Sequence, residues 1–276
     1  MIPAYLRRLS DGRITRSDLA RELDRSEKVA VSYALGQAMT SIFSTHVLKV
    51  RYLMHIDRYG GAYNLAVDPR TKRRADLFGQ LESGSWVVAE AKGRSTPIDY
   101  STTRKMRLQK RTVRSIAGVP PEIAYGCCAY FEEVNGLERL CLYAVDPEED
   151  EPEAVELRVG GSDSFVAAYY APFLAALDIG ERVGGERGDY VTASFGPLRV
   201  QVSVLRSVVE RVRAAQRGLL RGLRDDLQAL LPPSPRWEST PGHFADGTSV
   251  VTKWSDALAQ EDWGGIEDRW WGDGRR

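Results

Sequence analysis

Apolar positions along the chain change their period several times, and each change marks an element. Residues 15–46 read as two helices. "TRSDLARELDRS" is short and polar, and "SEKVAVSYALGQAMTSIFSTHV" carries Val31, Leu35, Ala38 and Ile42 at helical spacing behind Ser26 as N-cap. Alternating apolar runs then predict strands over 48–57, closed by "RYGG", and over 62–67, 73–81 and 85–92. A helix is expected over 101–118. "EIAYGCCAYFE" and "ERLCLYAV" form a hairpin about "EVNG". Further on, 164–178 is helical around Pro172, and 190–204 gives two short strands about Gly196-Pro197. Residues 205–231 predict one long amphipathic helix, weakened by Gly218 and Gly222. The tail has little periodicity. The fold class is therefore α/β: a mixed sheet flanked by helices over 1–150, then a helical and β extension over 151–276 whose tail from about 232 is either a docked extension or partly disordered.

Composition changes this picture in one place. The 276-residue chain has 38 Lys and Arg against 38 Asp and Glu, so whole-chain charge points to neither nucleic acid nor membrane. Between Lys72 and Arg114, however, eleven basic residues meet four acidic ones. "DPEEDEPEAVE" (146–156) reverses the sign and reads as a solvated loop. No apolar run is long enough for a bilayer, and the first residues lack the apolar core of a signal peptide, so a cytoplasmic protein is expected. Cys127, Cys128 and Cys141 have neither disulfide nor zinc spacing and read as small strand residues.

The basic stretch surrounds an unusual strand. In "WVVAEAK", Glu90 and Lys92 share one face, roughly 6–7 Å apart. The preceding hairpin decides whether Asp76 joins them. A two-residue loop, Ser83-Gly84, would pair Asp76 with Ala91. A three-residue loop, Glu82-Ser83-Gly84, with Gly84 left-handed, pairs Asp76 with Glu90 and is preferred because glycine stands where that loop requires it. Two adjacent carboxylates repel unless a cation lies between them, and oxygen ligands suit Mg²⁺ or Mn²⁺. A lysine beside the ion can orient a water and stabilise charge on phosphorus. Arg73, Arg74, Arg94, Arg104, Lys105, Arg107 and Arg111 would attract a phosphate backbone.

Asp76 followed by Glu90-Ala91-Lys92 at the end of an apolar strand resembles the PD-(D/E)XK nuclease superfamily, and the element order over about 28–146 is similar to its core. The resemblance implies a restriction-endonuclease-like fold and Mg²⁺- or Mn²⁺-dependent hydrolysis of nucleic acid, DNA by the family's habit. It implies Asp76, Glu90 and the Ala91 carbonyl as metal ligands and Lys92 as the catalytic lysine. Ala75 replaces the proline usual before the aspartate. Gln109, on the apolar side of its helix, matches the glutamine of RecB-type nucleases, and Val113 departs from the tyrosine that accompanies it. Glu27 lies at the start of the first long helix, too far back for the glutamate that some members place there. The alternative class is a catalytically inactive protein of the same fold, serving as a nucleic-acid-binding or scaffold subunit. The arginine-bearing helix 205–231 is available to a second copy or a partner protein.

Overall fold

The computed structural model describes residues 5–59, 75–110, 112–145, 155–157, 162–183, 189–231 and 242–252. Strands β1 (Leu6–Arg8) and β2 (Ile14–Arg16) form a hairpin that leads into helices α1 (Asp18–Glu22) and α2 (Arg25–His46). Then come β3 (Tyr52–His55), the single turn α3 (Ile56–Tyr59), β4 (Leu77–Gln80) and β5 (Trp86–Gly93). Helix α4 (Tyr100–Lys110) and β6 (Val113–Ile116) precede the long hairpin of β7 (Ile123–Val134) and β8 (Leu137–Val145). The second half contains β9 (Val155–Leu157), α5 (Ser162–Ile179), β10 (Glu181–Arg182), β11 (Tyr190–Phe195) and β12 (Val200–Leu205). It closes with α6 (Arg206–Gln216), α7 (Leu223–Leu230) and β13 (Thr248–Thr252). The strand expected over 62–67 lies outside the described residues.

The main sheet has the order β3-β4-β5-β7-β8. β5 and β7 are parallel and the other neighbours antiparallel, so the sheet is mixed. A parallel pair needs a crossover, and α4 supplies it. The hairpin between β7 and β8 turns at Asn135 and Gly136, both at positive φ, as a two-residue turn demands.

Helix α2 begins at Asp24, not Ser26. Asp24 accepts the backbone N–H groups of Ser26 and Glu27, and the Glu27 carboxylate returns to the Asp24 N–H. This capping box also consumes Glu27 at the helix start. The helix lies on the sheet through Val31 and Leu35, which pack with Ala129 and Phe131, and through Phe43 against Leu77, Ala89 and Ala91. Its closest approach is backbone on backbone. A methyl group added at Gly36 would lie 2.5 Å from the Lys92 carbonyl carbon, and one at Gly93 would lie 1.7 Å from the Ser32 carbonyl oxygen. Only glycines at both positions allow this crossing.

The opposite face of the sheet carries Phe78, Trp86 and Val88. They share one core with Phe165 and Tyr170 of α5 and with Val208 and Val212 of α6. Hydrophobic packing therefore runs across the expected boundary at residue 150. The antiparallel sheet β10-β11-β12-β13 packs on the far side of α5. Part of the tail is integral to it: β13 pairs with β12, and Asp246, 5 % exposed, accepts hydrogen bonds from the Tyr169 hydroxyl, the Thr248 hydroxyl and the Thr248 N–H.

The helix expected over 205–231 is two helices. Gly218 and Gly222 take positive φ between them. Arg211 satisfies the freed carbonyls of Leu219 and Arg221, and Asp163 from α5 caps the N–H groups of Gly222 and Arg224. Val208, Val209, Val212, Leu223 and Leu227 are buried in the chain's own core, so that apolar face is not free for a partner; the arginine-bearing side, Leu219 and Leu230 are exposed. The helix expected over 101–118 likewise ends near Lys110, and Val113 stands in β6 rather than one turn after Gln109.

Glu138 joins the first hairpin to the sheet. It accepts hydrogen bonds from the Thr15 hydroxyl at 2.7 Å, the Arg16 N–H at 2.9 Å and the Arg16 guanidinium at 2.6 and 3.1 Å. Burial works to raise its pKa, but these bonds outweigh it and bring the carboxyl down to about 2. A carboxyl depressed in the folded state stabilises above its unfolded pKa of about 4.3, and that stability fades as pH falls toward the folded value. Glu138→Gln should therefore destabilise the protein by about 1–3 kcal/mol at pH 7. Urea unfolding at pH 7 and pH 3 should show the difference from wild type shrinking at the lower pH.

Candidate functional site

The loop between β4 and β5 has three residues, Glu82, Ser83 and Gly84. The Leu81 N–H donates to Ser85 O at 2.9 Å, the Gly84 N–H donates to Leu81 O at 2.9 Å, and Gly84 has φ +92°. This loop sets the register. Leu77 lies opposite Ala89, so Asp76, one step further, stands opposite Glu90. The pairing expected from the three-residue loop is the one observed.

Each member of the pair is held by the backbone around it. The Asp76 carbonyl accepts the Ile56 N–H at 2.9 Å, and its carboxylate accepts the Ala91 N–H at 2.9 Å. Asp76 thus spans the two strands and reaches the middle residue of the Glu-Ala-Lys triplet. Glu90 points to the face of the sheet occupied by Val88, and is 0 % exposed. Its parallel neighbour on β7 is Gly126, and a methyl group there would lie 2.8 Å from Met106 Cβ. The missing side chain lets α4 settle over the sheet beside Glu90 and keeps water from it.

The Lys92 ammonium forms an ion pair with Glu90 Oε1, and no hydrogen bond of ordinary geometry reaches either Glu90 oxygen. Burial pushes the Glu90 carboxyl up to about 8, the neighbouring Asp76 carboxylate pushes the same way, and Lys92 opposes both. One lysine does not offset the desolvation of a buried carboxylate standing beside another carboxylate.

Two further groups reach the same end of the sheet. Tyr33 of α2 is half exposed. Its phenol is raised first by partial burial and then by the Asp76 and Asp57 carboxylates, so Tyr33 lies within electrostatic reach of both. Neither stood out in the sequence. Tyr33 precedes Gly36 by three residues, and Asp57 follows β3 by two, but only the crossing of α2 over β5 brings them together. Among the described residues, no cluster of three or more His, Cys, Asp or Glu side chains is placed to hold a metal ion. What the structure brings together at this end of the sheet is two carboxylates, Asp76 and Glu90, with the Ala91 N–H on Asp76 and the Lys92 ammonium on Glu90.

The basic residues divide into three groups. Arg104, Lys105 and Arg107 are exposed on α4, with Met106 buried between them. Arg94 is already engaged. Its guanidinium donates to the Thr102 hydroxyl and pairs with Asp99 at 3.2 Å, stapling the loop after β5 to the start of α4. Arg73, Arg74, Arg111 and the side chain of Gln109 lie outside what the structure describes. The cysteines are free, with Cys127 and Cys128 buried in β7. Among the described residues no helix is long and apolar enough to cross a membrane. Comparison of the chain with protein-family models, curated proteins and solved structures returned no match.

The elevated Glu90 carboxyl has a sign that is easily tested. A carboxyl whose folded pKa lies above its unfolded value lowers stability as pH rises through the window between them, here about 4.3 to about 8. Glu90→Gln removes that penalty. In EDTA, the variant should gain stability relative to wild type as pH rises from 5 to 8.5, by up to several kcal/mol, on the order of 1.4 for each unit of pKa difference. Thermal unfolding of both proteins across that range provides the measurement. A difference independent of pH would mean that Glu90 is not held protonated.

Proposed function

We propose that this chain is a metal-dependent phosphodiesterase acting on nucleic acid, with a restriction-endonuclease-like site of the PD-(D/E)XK type. The observation that carries the reading is the cross-strand carboxylate pair. Asp76 and Glu90 stand opposite each other, and buried Glu90 has only the Lys92 ammonium against it among the described residues. A buried carboxylate beside a second carboxylate is costly with one lysine for relief, and a divalent cation would lower that cost.

Asp76, Glu90 and the Ala91 carbonyl would hold Mg²⁺ or Mn²⁺. When bound, the ion supplies Lewis-acid polarisation of a phosphoryl oxygen. The chain's own residues provide the rest. Asp76, hydrogen-bonded to the Ala91 N–H, keeps the two strands in register at the reacting end. With Glu90 ionised and occupied, the Lys92 ammonium is released to hold an attacking water and to meet the negative charge that grows on phosphorus. Arg104, Lys105 and Arg107 offer a solvent-facing basic patch to the phosphate backbone. The second reading is a nucleic-acid-binding scaffold without catalysis. The closed Lys92–Glu90 ion pair favours it, because that pair is what a site no longer holding a cation would keep.

Three measurements separate these readings. Because Glu90 must ionise to hold a cation, calorimetric titration of Mn²⁺ at pH 7 in buffers of different ionisation enthalpy should show about one proton released per ion bound. Asp76→Asn should lose both cation binding and plasmid cleavage. Lys92→Ala should keep or tighten cation binding, yet cleave at least about 100-fold more slowly. A wild-type protein that binds nucleic acid but never cleaves it with either ion is a scaffold, and Lys92→Ala with wild-type cleavage would remove the lysine from the chemistry.

A further inference from the structure

A second site stands apart from the carboxylate pair, between α6 and the sheet of β10 and β11. The concavity measures about 510 Å³, within the roughly 300–1,000 Å³ of small-ligand sites. Arg206, Glu210, Arg213 and Arg217 follow one another at spacings of four, three and four residues, which puts them on one face of α6 and its C-cap. Arg182 of β10 faces them across the opening. Among the described residues, four guanidiniums thus share one concavity with a single lining carboxylate, Glu210.

Two features make this more than a solvated helix face. The first is that three of the four guanidiniums, those of Arg182, Arg206 and Arg217, have no ion pair among the described residues, whereas Arg213 is held by Asp178 at 2.5 Å. Like charges gathered in one hollow repel each other and favour an anion between them. Guanidinium forks match phosphate oxygens in pairs, which a cluster of lysines would not. The second is the composition of the walls. Leu177, Val191 and Val209 supply apolar surface beneath the arginines, and Tyr190 presents a ring held edge-on by His243, with centroids 5.3 Å apart. An anion with a flat, partly apolar body fits both features.

We infer that this hollow binds a nucleotide phosphate, with Arg182, Arg206 and Arg217 on the phosphate and Tyr190 beside the base. The phosphate belongs either to a single-stranded nucleic acid or to a free mononucleotide. The inference does not rest on the phosphodiesterase reading, since the binding site shares no residue with the carboxylate pair and binding is measured without a divalent ion.

The test uses the full chain in EDTA with two probes, fluorescein-labelled dT12 by anisotropy and AMP by calorimetry. The variants are Arg206→Ala/Arg217→Ala and Glu210→Gln, with circular dichroism and thermal unfolding confirming that both remain folded. If the phosphate belongs to a strand, the double variant should bind dT12 at least about 10-fold more weakly. Its salt slope should flatten by about 1.4, from about 0.7 per phosphate contact. If the ligand is a free nucleotide, AMP binding should saturate with wild type and vanish in the double variant, with dT12 unaffected. In either case Glu210→Gln should tighten the affected probe, a gain that misfolding cannot produce. Folded variants that match wild type on both probes would overturn the inference.

Discussion

A helix backbone rests directly on a strand backbone where α2 crosses the end of β5, and the candidate site depends on that contact. Gly36 and Gly93 leave no side chain between the two chains. The approach brings Tyr33 to the carboxylates and presses the strand end carrying Glu90 and Lys92 into a fixed position. The buried hydroxyls of Thr40 and Ser44 bond back to helix carbonyls at 2.8 and 2.6 Å, so the helix face against the sheet leaves these polar atoms satisfied.

The site built there is electrostatically unfinished. Glu90 is surrounded by apolar packing, faces Asp76 across the strand pair and has one lysine for relief. Such a group raises its pKa or takes a cation, and either response links protonation, cation binding and stability. Elsewhere the same chain supplies donors to its carboxylates: half-buried Glu138 accepts from Thr15, Arg16 and Arg21, and buried Asp246 has donors on both oxygens. That contrast within one molecule is what supports the proposed role of the carboxylate pair.

The second half of the chain is bound to the first through aromatic packing. Phe165 meets Trp86 and Phe78 with ring centroids 5.2 and 5.3 Å apart, and Tyr169 and Tyr170 pack edge-on against Tyr52. Asp246 then ties β13 to those tyrosines. The far sheet and α6 are consequently held by the same core that supports the carboxylate pair, while the arginine hollow opens on their outer side.

Local chemistry in the sequence determined a good deal. Gly84 and the alternation of "WVVAEAK" were enough to place Asp76 opposite Glu90, because a hairpin's register follows from its loop and a strand's facing from its period of two. Asn135-Gly136 marked its hairpin for the same reason. What only the tertiary structure decided involves partners distant in sequence. Residues 205–231 keep a helical apolar period throughout, yet the helix breaks because Asp163 and Arg211 satisfy the backbone groups released at the two glycines. The tail shows no period, yet residues 242–252 are ordered, because β12 offers an edge and two tyrosines offer donors to Asp246. Glu90 has an ordinary strand position in the sequence. Its burial comes from Gly126 and Met106, residues of a strand and a helix that meet it only once the parallel crossover has closed.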